Sequence, residues 1–328
     1  MVGGVVAGQV LRRQAPKYLP CIITDRESRM PPIRKAVITA AGRGTRHYPA
    51  TNSVQKELFP LVDRDRVTKP TIQIIAEEAL SAGIESICIV TAKGGQEQFQ
   101  RHFAPIPAAD QPAFRGKEAA LRQSAHLADL GRRITYACQD SPEGFGHAVY
   151  CAREFVGDEP FLLMLGDHLY LSGEERSCAQ QLADAFKACR ATVTAVQRTP
   201  TEQLHLFGTI GGETTDTPGL YRAAALYEKP SADYAREHLR TPGLPEDTYL
   251  CLFGLYAFTP GIFDCLEELI ANDIRERGEI QLMSAQAMLR AREPYFACEI
   301  NGARYDMGVP EGYVETQIAF ARAAGIMP

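Results

Sequence analysis

The sequence predicts an α/β fold: a doubly wound, largely parallel sheet covered on both faces, with additional helices towards the C-terminus. Three observations carry that expectation. Short apolar runs recur at 35–39, 86–90, 134–138, 161–165, 191–196 and 250–258. Helical patterns fill the intervals between them, so strands and helices alternate. The runs are continuously apolar rather than alternating, as strands buried on both faces are.

Taken in order, residues 1–32 have no sustained periodicity and close on Met30-Pro31-Pro32. They read as an N-terminal extension, either disordered or upstream of a start at Met30, ahead of a single domain over 33–328. Lys35-Ala36-Val37-Ile38-Thr39 is a first buried strand, followed by a glycine-containing loop. A helix is expected from Pro70, where proline suits the first turn, to about Gly83. A second strand at 86–90 follows, and helices are expected at 117–130, 145–155 and 176–190. Residues 33–258 form the core of this expectation. Beyond 258 helical patterns dominate, at 260–273 and 279–291, with one short strand near 294–300. A last helix runs from Pro310 towards Gly325, with Val314, Ile318 and Ala321 at i, i+4 and i+7 as its apolar stripe.

Composition narrows the function classes. Lys and Arg total 35 against 40 Asp and Glu, a net charge of −5, which does not favour a polyanionic partner such as nucleic acid. No apolar run reaches the roughly 18 residues of a membrane helix. The nine cysteines are scattered without a C-x-x-C pair, which suits a reducing cytosol better than a disulfide framework or a zinc site. The first residues have no basic stretch before their apolar ones, so no signal peptide is read there and a cytoplasmic location is expected.

In an open sheet of this kind ligands bind beyond the carboxyl ends of the strands, and the polar motifs fall there. Ala40-Ala41-Gly42-Arg43-Gly44-Thr45-Arg46 leaves the first strand, and its glycines let backbone amides approach phosphate oxygens. The dinucleotide fingerprint would need Gly or Ala where His47 stands, which disfavours a dehydrogenase. Arg46 adds a planar cation suited to phosphate, and Lys56 follows ten residues later. Phe161-Leu162-Leu163-Met164-Leu165-Gly166-Asp167 delivers one carboxylate at a strand end, of the type Mg²⁺ takes together with substrate phosphates. Tyr227-Glu228-Lys229-Pro230 and Tyr305-Asp306-Met307-Gly308 supply a further acid–base pair and another carboxylate. Singly, each reads as a turn, a helix cap or a surface ion pair. Their joint order needs an explanation.

That order resembles the sugar-1-phosphate nucleotidyltransferases, in particular the bacterial UTP–glucose-1-phosphate uridylyltransferase (UDP-glucose pyrophosphorylase) family. The resemblance runs from about Arg34 to Ile326. Its carriers are the loop 40–51, Lys56-Glu57-Leu58-Phe59-Pro60, Gly144-Phe145-Gly146-His147-Ala148-Val149, Asp167, Glu228-Lys229-Pro230, Gly278-Glu279-Ile280-Gln281-Leu282 and Asp306-Met307-Gly308. It implies a Rossmann-like mixed sheet of the nucleotide-diphospho-sugar transferase type. The implied reaction is uridylyl transfer from UTP to glucose 1-phosphate with Mg²⁺, giving UDP-glucose and pyrophosphate. Carried over by residue, Ala40, Ala41 and Gly42 approach the uridine, and Gln139 and Gly144 read the base. Arg46 and Lys56 hold the triphosphate. Asp167, with Asp306, binds Mg²⁺, and Lys229 holds the sugar phosphate. Glu228, Gly208 and Gly254 face the sugar. A homo-oligomer is implied as well. The chain departs from the family pattern in the longer loop at 63–68, in Glu143 at a usually basic position, and in Gly166 where many relatives have proline.

The chemistry agrees with this. Attack by one phosphate on the α-phosphorus of a nucleotide brings two anions together, so catalysis is positioning and charge neutralisation. The attacking phosphate is already largely ionised, so no general base is needed. His47, His147 and His168 are expected to pack, cap or hydrogen-bond. The rival readings are the same reaction with dTTP, CTP or another sugar 1-phosphate, a non-catalytic nucleotide-sugar-binding regulator, and a metal-dependent glycosyltransferase. The last would carry a D-x-D motif, but His168 and Leu169 follow Asp167.

Overall fold

A computed structural model describes residues 31–328, of which Pro31–Pro328 form one compact unit. Residues 1–30 of the expected extension lie outside the described residues. Strand β1 (Lys35–Ala40) leads through the glycine loop to a hairpin of β2 (Pro60–Val62) and β3 (Thr68–Pro70). Then come α1 (Thr71–Ser81), β4 (Ser86–Ala92), α2 (Gln96–His102), α3 (Glu118–Arg133) and β5 (Ile134–Gln139). Next are α4 (Phe145–Tyr150), α5 (Arg153–Val156), β6 (Phe161–Leu165), β7 (His168–Ser172), α6 (Cys178–Cys189) and β8 (Thr192–Pro200). The chain continues through β9 (Gly208–Thr214), β10 (Leu220–Glu228), α7 (Ala232–His238), β11 (Thr248–Phe258), α8 (Gly261–Ala271) and α9 (Leu282–Arg292). It ends with β12 (Tyr295–Glu299), β13 (Gly302–Asp306) and α10 (Pro310–Ala323).

The main sheet has the order β5-β4-β1-β6-β11-β8-β12-β10-β9. It is mixed. The expected parallel pairing holds from β5 to β6 and again between β8 and β12, whereas β11, β10 and β9 run antiparallel to their neighbours. The expected C-terminal part, 259–328, returns to this sheet, because β12 inserts between β8 and β10. Val37, Cys88, Phe161 and Leu163 join Val149 of α4, Phe263 of α8 and Leu289 of α9 in one buried cluster. The alternate strand residues Ile38, Ile89 and Met164 are equally buried and point the other way. Helix α6 packs on β8, β11 and β12 and against α1.

Several expected boundaries move, each for a local reason. Pro70 ends β3 instead of opening the helix. The helix expected at 145–155 is two, α4 and α5, because the Ala152 amide bonds the Val149 carbonyl and tightens the turn. Helix α9 starts at Leu282 because Gln281 is extended and the Ile280 carbonyl, which an earlier turn would need, accepts from the Gly146 amide at 2.9 Å. In α10 the buried side is Gly312, Thr316 and Phe320, while Val314 of the expected stripe is 56% exposed. The Thr316 hydroxyl reaches the Gly312 carbonyl at 2.6 Å, so a polar residue serves on the inner face.

His102 at the end of α2 bears on stability. Its Nε2 donates to Gln73 Oε1 at 3.1 Å, and burial pulls its pKa down to about 4, with Glu77 opposing the shift. A histidine held neutral in the fold takes up protons on unfolding at about pH 6.5. Its contribution is complete above that value and is lost as pH falls towards 4. His102→Gln should therefore flatten the decline in unfolding free energy between pH 6.5 and 4 by about 1–3 kcal/mol, measured by urea titration at several pH values.

Candidate active site

Strand β1 ends beside β6, with Thr39 opposite Leu165, and the Gly166 amide bonds the Thr39 carbonyl at 2.9 Å. The glycine loop and Asp167 therefore leave the sheet side by side. A second pairing brings in the other carboxylate: β13 runs antiparallel to β7 with Asp306 opposite His168. The Met307 amide donates to the Asp167 carbonyl at 2.7 Å and fixes this approach. The His47 imidazole ties the glycine loop to the same place through Nε2 and the Met307 carbonyl, 2.8 Å apart. That is the hydrogen-bonding role expected of it.

Asp167 sits in a charged network. Its Oδ2 accepts from Lys56 Nζ at 2.6 Å and its Oδ1 from His168 Nδ1 at 3.0 Å. Burial alone would raise the Asp167 pKa, but the Lys56 charge and the His168 hydrogen bond outweigh it and hold the carboxyl well below the usual carboxylate range. Burial likewise opposes the charge on Lys56, and Asp167 and Glu57 restore it, so its pKa lies above the ordinary lysine value. Glu57 is 1% exposed. Its Oε1 lies 2.7 Å from Lys56 Nζ as an ion pair without hydrogen-bond alignment, and Oε2 has no hydrogen-bond partner. Burial pushes the Glu57 carboxyl up, against the pull of Lys56.

The carboxylates fit a divalent cation. Oxygen or nitrogen atoms of Asp167, His168 and Asp306 lie within 4.8 Å of one another. Gly308 leaves the space between them open: a Cβ there would stand 2.6 Å from Asp167 Oδ2, 2.8 Å from Asp306 Oδ1 and 3.1 Å from Arg46 Nη2. Two carboxylates facing a gap that phosphate oxygens can complete is the donor set a hard cation takes. A hard cation takes oxygen donors, so the two aspartates, with His168 Nδ1 bonded to Asp167, are the candidate ligands.

Two clefts meet at this point. One, of about 520 Å³, is lined by Ala41, Gly42, Arg46, Lys56, Gln139, Gly144 and Asp167. Ala40 is buried at the strand end just behind them. The other, of about 260 Å³, is lined by Arg46, Gly208, Glu228, Lys229, Gly254 and Asp306. Arg46 borders both. Gly208 and Glu228 face each other across the β9–β10 pairing. Gly254 sits at φ +79° in a bulge of β11, where the register against β8 shifts between Leu252 and Tyr256. A side chain there would press on the His168 ring, 3.1 Å away. Burial raises the Glu228 pKa, partly offset by Lys229 and Arg277. Lys229 makes no ion pair among the described residues.

Some neighbours in the site stand outside the motifs. Arg304 lines the smaller cleft, donates from Nη1 to the Leu252 carbonyl at 2.9 Å, and lies 4.2 Å over the Phe207 ring. The signal for it was the i, i+2 spacing from Asp306, which places both on one face of a strand. Glu57 was legible only as part of the Lys56 motif, and His168 only as a neighbour of Asp167. The acidic departure at Glu143 meets a cation on the facing loop, Arg275 Nη2 at 2.6 Å.

A glycine loop, paired carboxylates and several cations at the carboxyl ends of an open α/β sheet suit an enzyme that transfers a nucleotidyl group. The chain belongs to the nucleotidyl transferase family, whose sequence model matches residues 35–322. It is 38% identical to the UTP–glucose-1-phosphate uridylyltransferase of Bacillus subtilis (strain 168), over 89% of this chain and 92% of that protein. The enzyme of the same name from Streptococcus pneumoniae serotype 4 is 37% identical, over 88% of this chain and 90% of that one. Among solved structures it is similar to a UDP-glucose pyrophosphorylase complexed with UDP-glucose: TM-score 0.72, 28% identity, 88% of this chain and 99% of that one. An apo-UDP-glucose pyrophosphorylase superimposes with a TM-score of 0.75 at 30% identity, over 88% of this chain and 98% of that one.

Proposed function

We propose that this protein is a UTP–glucose-1-phosphate uridylyltransferase: it joins UTP and α-D-glucose 1-phosphate into UDP-glucose and releases pyrophosphate. The observation that carries the reading is the meeting of two clefts at Arg46 and the Asp167–Asp306 pair. The larger takes the nucleotide, with Ala41 and Gly42 along the uridine, Ala40 behind them, and Gln139 and Gly144 at the base. The smaller takes the sugar phosphate, with Glu228, Gly208 and Gly254 at the sugar and Lys229 at its phosphate.

An oxygen of the sugar phosphate attacks the α-phosphorus as the bond to the bridging oxygen of pyrophosphate breaks. Arg46 and Lys56 neutralise the triphosphate and the departing pyrophosphate. Asp167 and Asp306 would hold Mg²⁺, which supplies charge neutralisation and orientation of phosphate oxygens. His168 orients Asp167 through its Nδ1 proton, and Glu57 keeps Lys56 at the mouth of the phosphate site. None of these groups needs to take a proton from the nucleophile.

The test is pyrophosphate release with Mg²⁺ from UTP, dTTP, CTP, ATP and GTP, each with and without glucose 1-phosphate. Turnover that needs both UTP and glucose 1-phosphate supports the reading. Turnover with another pair moves the specificity within the family, and silence across sugar 1-phosphates removes the enzymatic reading. Within it, Lys229→Ala should lower kcat/KM for glucose 1-phosphate by roughly 10- to 100-fold, the size of a charged hydrogen bond. The KM for UTP should stay within about twofold.

A cytoplasmic setting is part of the proposal. No described helix is long and apolar enough to cross a membrane, and the cysteines among the described residues are free thiols, as a reducing compartment keeps them. A homo-oligomer is proposed from the family resemblance, and sedimentation equilibrium checks it.

A further inference from the structure

Gln139 ends β5 on the wall of the larger cleft and is 6% exposed. Its side-chain Nε2 donates to the Gly144 carbonyl at 3.0 Å and makes a second contact of 3.1 Å with His147 Nδ1. A backbone carbonyl only accepts, so the atom facing Gly144 is the amide nitrogen. Turning the amide round would set two oxygens against each other. Both Nε2 hydrogens are then used, one by Gly144 and one by His147. His147 Nδ1 is then the acceptor of that contact, and Nε2 lies on the side of Glu143 Oε1 at 4.0 Å. What Gln139 has left is Oε1, which accepts from no donor among the described residues, in a side chain that lines the cleft.

We propose that His147 sets the pyrimidine specificity of this site by locking the Gln139 amide with its oxygen towards the base. The inference rests on the reading of this cleft as the uridine site. Uracil presents a donor at N3, which meets Oε1. Cytosine presents an unprotonated N3, which sets lone pair against lone pair. His147 does not touch the base. It is a positioning residue: its Nδ1 and the Gly144 carbonyl are two acceptors that both demand the amide nitrogen, so the acceptor face of Gln139 is presented without reorganisation. With His147 removed only the Gly144 carbonyl still holds the nitrogen, so turning the amide to offer that nitrogen to cytosine breaks one hydrogen bond instead of two.

The measurement is the ratio of kcat/KM for UTP over CTP, at saturating glucose 1-phosphate, in a double-mutant cycle of Gln139→Ala and His147→Ala. His147→Ala should lower the ratio by about fivefold or more, the worth of one hydrogen bond, and leave the KM for glucose 1-phosphate unchanged. His147→Asn, which can offer a carbonyl oxygen near the place of Nδ1, should recover most of the ratio. In the Gln139→Ala background His147→Ala should change nothing further. An unchanged ratio in His147→Ala, or an equal fall in the presence and absence of Gln139, overturns the proposal, because His147 would then act independently of the amide. Should the alanine variant misfold, His147→Leu fills the same space without an acceptor and reads the same ratio. A wild-type protein that shows no preference for UTP over CTP overturns instead the uridylyl reading beneath it.

Discussion

Asp167→Asn should reduce kcat/KM for UDP-glucose formation by on the order of 10²–10³-fold, the cost of removing one preorganised charge from a transition state that is mostly charge. The side chain keeps its shape, so the loss isolates the charge. In the native site that charge is opposed by burial and sustained by Lys56 at 2.6 Å and His168 at 3.0 Å. The variant should also lose stability, because Lys56 is nearly buried and one of its two carboxylate partners disappears. Removing a partner from a buried pair costs up to about 3–5 kcal/mol, and Glu57 retains part of it. Far-UV circular dichroism and a thermal melt separate the two effects. A folded variant with near-wild-type kcat/KM would remove Asp167 from the catalytic machinery.

Gly308→Ala is the second large effect, and it needs no change of charge. The added methyl would stand 2.6 Å from Asp167 Oδ2 and 2.8 Å from Asp306 Oδ1, so one carboxylate must retreat. The site is also pinned from behind, since the Gly308 amide donates to Asp306 Oδ1 at 2.7 Å. Displacement by about 1 Å of groups that position reacting phosphates is worth about 10²-fold in rate. The expected result is a fall in kcat/KM of that order with little change in Tm, because the methyl meets polar atoms at the edge of a cleft and leaves the apolar core alone. Saturating the assay with Mg²⁺ should recover part of the loss if the methyl weakens cation binding. Full activity would mean that the two carboxylates do not work at this separation.

How far the sequence could be read follows from what each signal depends on. The strand at 161–165 was legible to the residue because five apolar positions end on Gly-Asp and both faces of the strand are buried. The hairpin of β2 and β3 and the strand β13 were not, because three to five partly exposed residues carry no period. The stripe read on α10 was misplaced for a related reason. That helix packs through Gly312, Thr316 and Phe320, and a glycine and a threonine do not register as an apolar face.

The site divides in the same way. Arg46, Lys56, Asp167, Lys229 and Asp306 were singled out by motifs that need only adjacent residues, and their expected roles came from the family resemblance. Their assembly depended on long-range pairing. The β7–β13 register sets Asp306 beside His168, across 138 positions of chain, and the β9–β10 pairing sets Gly208 against Glu228. Glu57, His168 and Gly308 acquire roles only through neighbours that the fold supplies.

By itself, then, the sequence determined the alternation of elements, the glycine loop and the charged groups, because each is fixed by local periodicity and side-chain chemistry. Only the tertiary structure decided which carboxylates face each other, which cation each one holds and which way the Gln139 amide points. Those depend on distances of a few ångströms between segments far apart in the chain, set by strand register and by the room that glycines leave.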